Sequence, residues 1–345
     1  MAGSTGRQGR RGDTTLRTLA EAAGVHVSTV SRALNPADSH KVSPETVARI
    51  RRLAAEHGFE PNPWAASLRT KRTKLIGLII PRLVDGVLAM MFEAAASRAR
   101  ELGYDAMTFS AQDKPDEPER LVNVLLDRRV DGLILATAME QDPTLEKLAD
   151  AEVPFVLMNR ASGEHPVVRA DDIVGGQLAT GHLLEQGHRR IAMVAGPDGV
   201  STATLRRIGF RQAHADWGVE VDEALIVPST FHADSGLDAG GRLLERAEPP
   251  TAVVAVNDAT AIGVMAAARD QGLVVPDDVA VVGYNDSPIA AMLPIALSSV
   301  AIPLDDLGRL AVTLLIDRIQ GESVESVVVP PVLRTRASSL RSSPG

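Results

Sequence analysis

The sequence predicts two unequal parts: a small all-α headpiece built on a helix-turn-helix, and a much larger α/β body of two lobes. Three observations point to this. Charge is divided along the chain. Residues 1–74 hold 13 Lys/Arg against 6 Asp/Glu, a balance of +7, while the remainder carries −15 within a net charge of −8. Before residue 60, apolar residues recur at helical spacing in short, closely spaced runs. Beyond residue 75, short β-branched runs alternate with helical ones, the βαβ rhythm of a parallel sheet, and this rhythm restarts midway.

Composition sets the outer limits. A chain of 345 residues that is 45% hydrophobic can bury a sizeable core, but with 3% aromatics the packing falls to Ala, Val, Leu and Ile. The absence of cysteine rules out disulfides, thiolate zinc sites and a cysteine nucleophile. It agrees with a reducing cytoplasm, the expected location. No apolar run approaches the roughly 18 residues that suggest a membrane span. "MAGSTGRQGRRGD" carries charge with no apolar segment behind it, so residues 1–13 are expected to be a disordered basic arm rather than a secretory signal.

Residues 14–60 account for the headpiece. In "LRTLAEAAGVHVSTVSRALN", Thr15 is placed to cap a first helix whose buried face is Leu16, Leu19, Ala20 and Ala23. Gly24 permits a sharp turn, Val25 fills the angle, and Val30 and Leu34 anchor a second helix. Val27, Ser28, Ser31, Arg32 and Asn35 are then left outside. Two helices joined by so short a turn form a helix-turn-helix, whose second helix suits the major groove. Arg can take guanine O6 and N7, Val can touch a thymine methyl, and hydroxyls suit phosphates. "SPETVARIRRLAAEHGF" supplies a third helix, with Ser43 as cap, Pro44 in first position and Gly58 at the end. Residues 61–74, "PNPWAASLRTKRTK", are a short Ala-rich segment followed by a basic stretch, too short and too apolar to be a stable free helix.

The body follows in order. "LIGLII", "YDAMTF", "VDGLILAT" and "VPFVLMN" read as strands, separated by "LAMMFEAAASRAREL", "PERLVNVLLDRR" and "PTLEKLADAE" as helices. The second half gives "GGQLATGHLLEQGH", "TLRRIGFRQAHADWG" and "TAIGVMAAARDQG" as helices, with "RIAMVAG", "TAVVAVND" and "VAVVGYND" as strands. A last helix, "DDLGRLAVTLLIDRI", precedes one final strand, "SVVVPPVL". Ligands of open parallel sheets bind beyond the carboxyl ends of the strands. Here those ends are polar: "MNR" at 158–160, "VND" at 256–258 and "YND" at 284–286. Their convergence favours a cleft shared by the lobes.

At this point a resemblance is plain. "AGV", "STVSRALN", "VSPETVARI", "GFEPN" and "AASLRT" are similar to the headpiece and hinge of the LacI/GalR family of bacterial transcriptional regulators. The likeness continues through "RELGYD", "RVDGLIL", "GHLLEQGHRRIAMVAGP", "RRIGF", "VNDATAIG" and "VVGYNDS", in order over nearly the whole chain. It implies a hinge at 61–74 and a periplasmic-binding-protein-like body at 75–338. Lobe 1 would take about 75–170 and 301–330, lobe 2 about 171–300 and 331–338, and 339–345 would be a tail. It further implies a homodimer on double-stranded, pseudo-palindromic operator DNA, most often as a repressor, without cofactor. Thr15, His26, Val27, Ser28, Thr29, Ser31, Arg32 and Asn35 would contact DNA. So would Asn62, Ala65 and Leu68 of a hinge helix in the minor groove, Leu68 wedging into the central step. A small-molecule effector between the lobes, a sugar or small acid, would be held by Asp85, Arg160, Thr202, Arg206, Phe231, Asn257, Asp258 and Asn285.

The chain departs from the family pattern in two places. His26 stands where Ser is common; Ser is the better cap, so either His26 contacts phosphate or the helix starts at Ser28. After the first strand the family commonly has Asp-x-x-Asn-Pro-Phe-Phe, and here the sequence is "RLVDGVLAM". Arg82 replaces an acid, and Val87 and Leu88 replace aromatics; near the last crossover Ala301 and Ile302 replace Arg-Gln. An apolar or anionic effector becomes more favoured than a stacked sugar. An enzyme would need a motif such as G-x-x-x-x-G-K-[ST], G-x-S-x-G or H-E-x-x-H, and none occurs. The spacing of His182 and His188 does not align two ligands on a helix, and the C-terminal "LRSSPG" has no heptad repeat for a coiled-coil tetramer.

Overall fold

The computed structural model describes residues 15–35, 38–59, 72–114 and 116–340. The basic arm and the hinge residues Asn62, Ala65 and Leu68 lie outside the described residues. The chain forms two compact units, divided after Thr73.

The first unit is a three-helix headpiece: α1 (Leu16–Ala23), α2 (Val27–Leu34) and α3 (Pro44–Glu56). Thr15 caps α1 through a reciprocal pair with Thr18, so two otherwise orphaned N–H groups are satisfied. The turn needs a left-handed residue, and Gly24 provides it at φ 62°. His26 settles the first open point. Helix α2 starts at Val27, and His26 Nδ1 accepts the Ser28 backbone N–H at 3.3 Å, so an imidazole does the work expected of a serine hydroxyl. The core joins Leu19, Ala20 and Ala23 to Val30, Ala33, Val47, Ile50 and Ala54. Leu16 and Leu34 are only half-buried at its rim.

The second unit holds two six-stranded sheets. In chain order, lobe 1 begins with β1 (Leu75–Ile80), α4 (Gly86–Glu101), β2 (Asp105–Ser110), α5 (Glu117–Asp127), β3 (Gly132–Leu135), α6 (Pro143–Asp150), β4 (Phe155–Met158) and β5 (Val167–Ala170). Lobe 2 follows with α7 (Asp172–Glu185), β6 (Ile191–Ala195), α8 (Ser201–Asp216), β7 (Ile226–Pro228), α9 (Ala233–Leu244), β8 (Ala252–Ala255), α10 (Asp258–Asp270), β9 (Ala280–Asn285) and β10 (Ser298–Ala301). The chain then returns to lobe 1 for α11 (Leu304–Gln320), whose Leu307, Ala311, Val312, Leu315 and Ile316 are buried, and for β11 (Val327–Val329). It ends in lobe 2 with β12 (Val332–Arg334). Strand order is β11-β5-β4-β3-β1-β2 in one sheet and β12-β10-β9-β8-β6-β7 in the other, all parallel except β12 against β10.

Two sequence expectations need correction here. "SVVVPPVL" is two strands, not one. Pro330 and Pro331 lack the N–H groups a continuous ladder requires, and the two halves serve different sheets. The tail does not begin at 339. Ser339 is fully buried, its Oγ 2.7 Å from both His182 Nε2 and Ser298 Oγ.

Helix pairs in both lobes meet at glycines. A Cβ on Gly263 of α10 would lie 2.0 Å from the Ala233 carbonyl oxygen, and one on Gly236 of α9 would lie 2.3 Å from that of Thr260. Side-chain-free positions therefore let these two backbones touch. The same device joins α11 to α4 at Gly308, where a Cβ would stand 2.1 Å from the Met91 carbonyl oxygen.

His182 and His214 are buried, and burial holds both imidazoles below their usual pKa of 6.5. Because the folded-state values are depressed, the unfolded chain takes up these protons first as pH falls. The stability they contribute is complete above about pH 6.5 and is lost below it. We expect the melting temperature to fall between pH 7.5 and 5.5, with His182→Gln flattening part of that fall. An unchanged pH profile in the variant would remove His182 from this role.

Candidate functional site

Two surfaces merit description, one in each unit. On α2, Val30 and Ala33 face the core, which turns Val27, Ser28 and Arg32 outward. Val27 is 36% exposed. Thr29 and Ser31 are half-buried beside this face. Asn35 was expected among the free outward residues, but its carboxamide is engaged: Nδ2 donates to Asp38 Oδ2 at 2.9 Å and closes the helix end. Thr15 is exposed, with its hydroxyl committed to the α1 cap.

The second surface is a cleft between the lobes. It is built from strand ends and helix starts. From lobe 1, Asp85 caps α4, its Oδ1 accepting the N–H groups of Val87 (3.0 Å) and Leu88 (3.3 Å). Asn159 and Arg160 follow β4, with Asn159 held at φ 69°. From lobe 2, Thr202 sits in the first turn of α8, because that helix begins at Ser201, three residues earlier than the sequence pattern suggested. Asn257 caps α10, its Oδ1 accepting from Thr260 N at 2.8 Å and its Nδ2 donating to the Phe231 carbonyl at 3.0 Å. Asn285 ends β9 at φ 99°, an uncommon conformation for a residue with a side chain.

Arg206 reaches the cleft from α8 and is 4% exposed. Its Nε donates to Asp172 Oδ1 at 2.8 Å, one terminal nitrogen donates to the Val256 carbonyl at 2.6 Å, and the guanidinium lies 3.5 Å over the Tyr284 ring. This buried pair fixes the direction of the arginine. Burial is the larger influence on Asp172 and raises its carboxyl pKa against the pull of Arg206. Burial, reinforced by Asp172, likewise pushes the Tyr284 phenol up, so its hydroxyl stays protonated.

Arg160, Thr202, Arg206, Phe231, Asn257, Asn285 and Asp85 all line this cleft. Asp258 does not. Its carboxylate turns into lobe 2, accepting from Ser299 Oγ at 2.5 Å and Ser287 N at 2.6 Å, where it fastens β10 and the loop after β9. The expectation that it contacts an effector is therefore corrected: at the first position of α10 it points away from the cap residue beside it.

Among the cleft residues that sequence reasoning missed are Asn159, Asp113 and His232. Asn159 stood within the polar "MNR" end and could have been. Asp113 follows β2, and His232 precedes α9, an element whose pattern was not recognised. With Arg82 these two bridge the lobes. Arg82 Nε lies 3.3 Å from Asp113 Oδ2, a terminal nitrogen lies 2.7 Å from His232 Nε2 and close to its Nδ1, and His232 Nε2 lies 3.5 Å from Asp113 Oδ2. The lobes also touch where Ala161 N donates to Ser201 Oγ at 2.7 Å and where Glu140 N donates to the Gly199 carbonyl at 2.8 Å. No group of three or more metal-binding side chains occurs among the described residues.

Comparison with known proteins follows from these two surfaces. Residues 15–62 match the bacterial regulatory proteins of the lacI family, and residues 180–339 match the periplasmic binding protein-like domain. The transcriptional regulator DegA of Bacillus subtilis is 34% identical over 334 residues, covering 94% of this chain and 98% of its own. The chain belongs to the lacI family. Its fold agrees with solved members: the lac repressor dimer bound to operator and the anti-inducer ONPF has a TM-score of 0.85 at 29% identity, covering 95% of this chain and 99% of that one. The complex of regulator CelR with cellobiose has a TM-score of 0.73 at 34% identity, covering 94% and 99%. As a lacI-family member the protein is a DNA-binding transcription regulator with an effector-binding domain, not an enzyme. Among the described residues no helix is long and apolar enough to cross a membrane.

Proposed function

We propose that this lacI-family protein represses transcription as a homodimer on a pseudo-palindromic operator, and that a small molecule in the interlobe cleft sets its operator affinity. The observation that carries the DNA half is the outer face of α2. Val27, Ser28 and Arg32 stand clear of the core on a helix whose other side buries Val30 and Ala33, and the Arg32 side chain has no ion pair or hydrogen bond among the described residues. Val27 and Arg32 would read base edges, while Ser28, Ser31, Thr29 and Thr15 would hold register on phosphates. The hinge with Asn62, Ala65 and Leu68 would add a minor-groove wedge. The operator-bound lac repressor dimer supports the same arrangement in a relative.

The cleft would take a hydroxylated molecule. Arg160, Arg206, Asn159 and Asn285 supply directional donors, and Phe231 supplies one apolar wall. The complex of CelR with cellobiose supports a ligand bearing hydroxyl groups, whatever else it carries. Closure around such a ligand would couple the cleft to the headpieces with a free energy of ~1–3 kcal/mol, felt equally at both sites.

The test is binding of the full chain to an operator obtained by genomic footprinting. Affinity should fall with salt at a slope of about −0.9 per phosphate neutralised. Arg32→Ala should cost ~1–3 kcal/mol and relax preference at one base pair in each half-site. Equal losses on operator and random DNA would reduce Arg32 to a phosphate contact.

A further inference from the structure

The cleft is richer in hydrogen-bond donors than in free acceptors, and this bears on what it holds. Three guanidiniums line it, from Arg82, Arg160 and Arg206. Its acidic groups are mostly committed. Asp85 spends Oδ1 on the cap of α4, and Asp172, behind the wall, is spent on Arg206. Asp113 sits at the exposed rim, shared between Arg82 and His232. Arg160 has no hydrogen-bond acceptor among the described residues. Its guanidinium lies 5.6 Å over the Phe231 ring, and burial pulls its pKa down to about 10 although Asp113 and Asp85 oppose this. This guanidinium is only partly buried and opens into the cleft, so its donors are available to a ligand. Arg82 is little better served: one terminal nitrogen is spent on an imidazole rather than on a carboxylate.

A neutral sugar answers this arrangement poorly. Each hydroxyl donates as well as accepts, so a neutral sugar needs acceptors in proportion to donors, whereas here three guanidiniums face carboxylates that are mostly engaged elsewhere. A carboxylate or a phosphate only accepts, and its paired oxygens suit the planar fork of a guanidinium.

We propose that the effector carries an anionic group, a carboxylate or a phosphate, held between Arg82 and Arg160 at the end of the cleft bounded by His232. This rests on the cleft being the effector site. The entering anion takes over Arg82 from Asp113, which is 43% exposed and can turn to solvent at little cost. His232, brought from lobe 2 against Arg82 of lobe 1, lies within reach of the same group, so the anion is read by both lobes at once. The hydroxylated part of the molecule then extends toward Arg206 and Asn257.

The test uses the full-length dimer and three probes: inorganic phosphate, gluconate, and sorbitol as the neutral counterpart of gluconate. Binding is followed by calorimetry at constant ionic strength. Gluconate or phosphate should bind saturably, at least ~10-fold more tightly than sorbitol, and Arg82→Gln and Arg160→Gln should each weaken that binding by about 10–100-fold. Whichever of the two anions binds more tightly identifies the carboxylate or phosphate form. Saturable binding unaffected by both substitutions would place the anion elsewhere and overturn the proposal. So would failure of both anions to bind, or equal binding of sorbitol. Cellobiose and ribose serve as a separate arm. If either binds and changes operator affinity while the anions do not bind, the cleft remains the effector site and only the anion assignment falls. If anions bind through Arg82 and Arg160 yet no cleft ligand alters operator affinity, the regulatory role of the cleft falls instead.

Discussion

Arg206→Ala is expected to destabilise the body by about 3–5 kcal/mol as well as abolish the effector response, because it leaves the Asp172 carboxylate buried without its cation. The two effects have different causes and can be separated. Asp172→Asn leaves the buried Arg206 guanidinium as the unpaired charge, so it should destabilise as well, whereas Arg206→Ala combined with Asp172→Asn removes both charges and should recover much of the lost stability. The effector response should not return, because the guanidinium is still missing. Urea melts of the four proteins, with operator titrations with and without effector, give both readouts. A single Arg206→Ala protein as stable as wild type would show that the pair contributes nothing to the fold. One that still responds at the same effector concentration would remove Arg206 from the cleft's ligand.

The second large effect is expected at the contact of α9 with α10. Gly263→Val would place its Cβ 2.0 Å from the Ala233 carbonyl oxygen and 2.5 Å from Leu237 N. Both are backbone atoms of a neighbouring helix, which cannot turn aside as a side chain could. Overpacking of cores costs about 1–3 kcal/mol where side chains can adjust, and here the cost should lie at or above the top of that range. Gly241, on the same helix α9 as Gly236, has nothing within 4 Å of its Cβ position. Gly241→Ala should therefore stabilise the protein by about 0.5–1 kcal/mol through helix propensity alone. A urea midpoint for Gly263→Val near that of wild type would mean that the helices can separate without loss.

Much of the fold was legible because it rests on local periodicity. The headpiece helices, most strands of both lobes and the long α11 each carry a pattern set by their own burial. The polar strand ends at Asn159, Asn257 and Asn285 were legible too, since strand ends in parallel sheets face a common side. What escaped was set by partners distant in sequence. Arg82 and His232 are 150 residues apart, and nothing local marks either as half of a contact. Asp172 escaped because α7 begins three residues before its apolar pattern does, and its partner Arg206 is 34 residues away. Asp258 looked like its neighbour Asn257, but adjacent residues at a helix start point in different directions. The strands β11 and β12 were fused in the reading because apolar character continues across Pro330 and Pro331, while the backbone donors do not.

The division of those last two strands also bears on how the protein is made. Lobe 1 has five of its strands by Ala170, but its covering helix α11 and its edge strand β11 come only after the whole of lobe 2 up to Ala301 has been synthesised. At ~5–20 residues per second, the interval from residue 170 to residue 329 lasts roughly 8–32 s on the ribosome. During that time the apolar face destined for Leu307, Ala311 and Leu315 stays open on the nascent chain. The headpiece, complete before residue 60, can fold at once. A ribosome that stalls within lobe 2 therefore leaves a folded DNA-binding unit tethered to an unfinished first lobe, and chaperone capture should peak in that window.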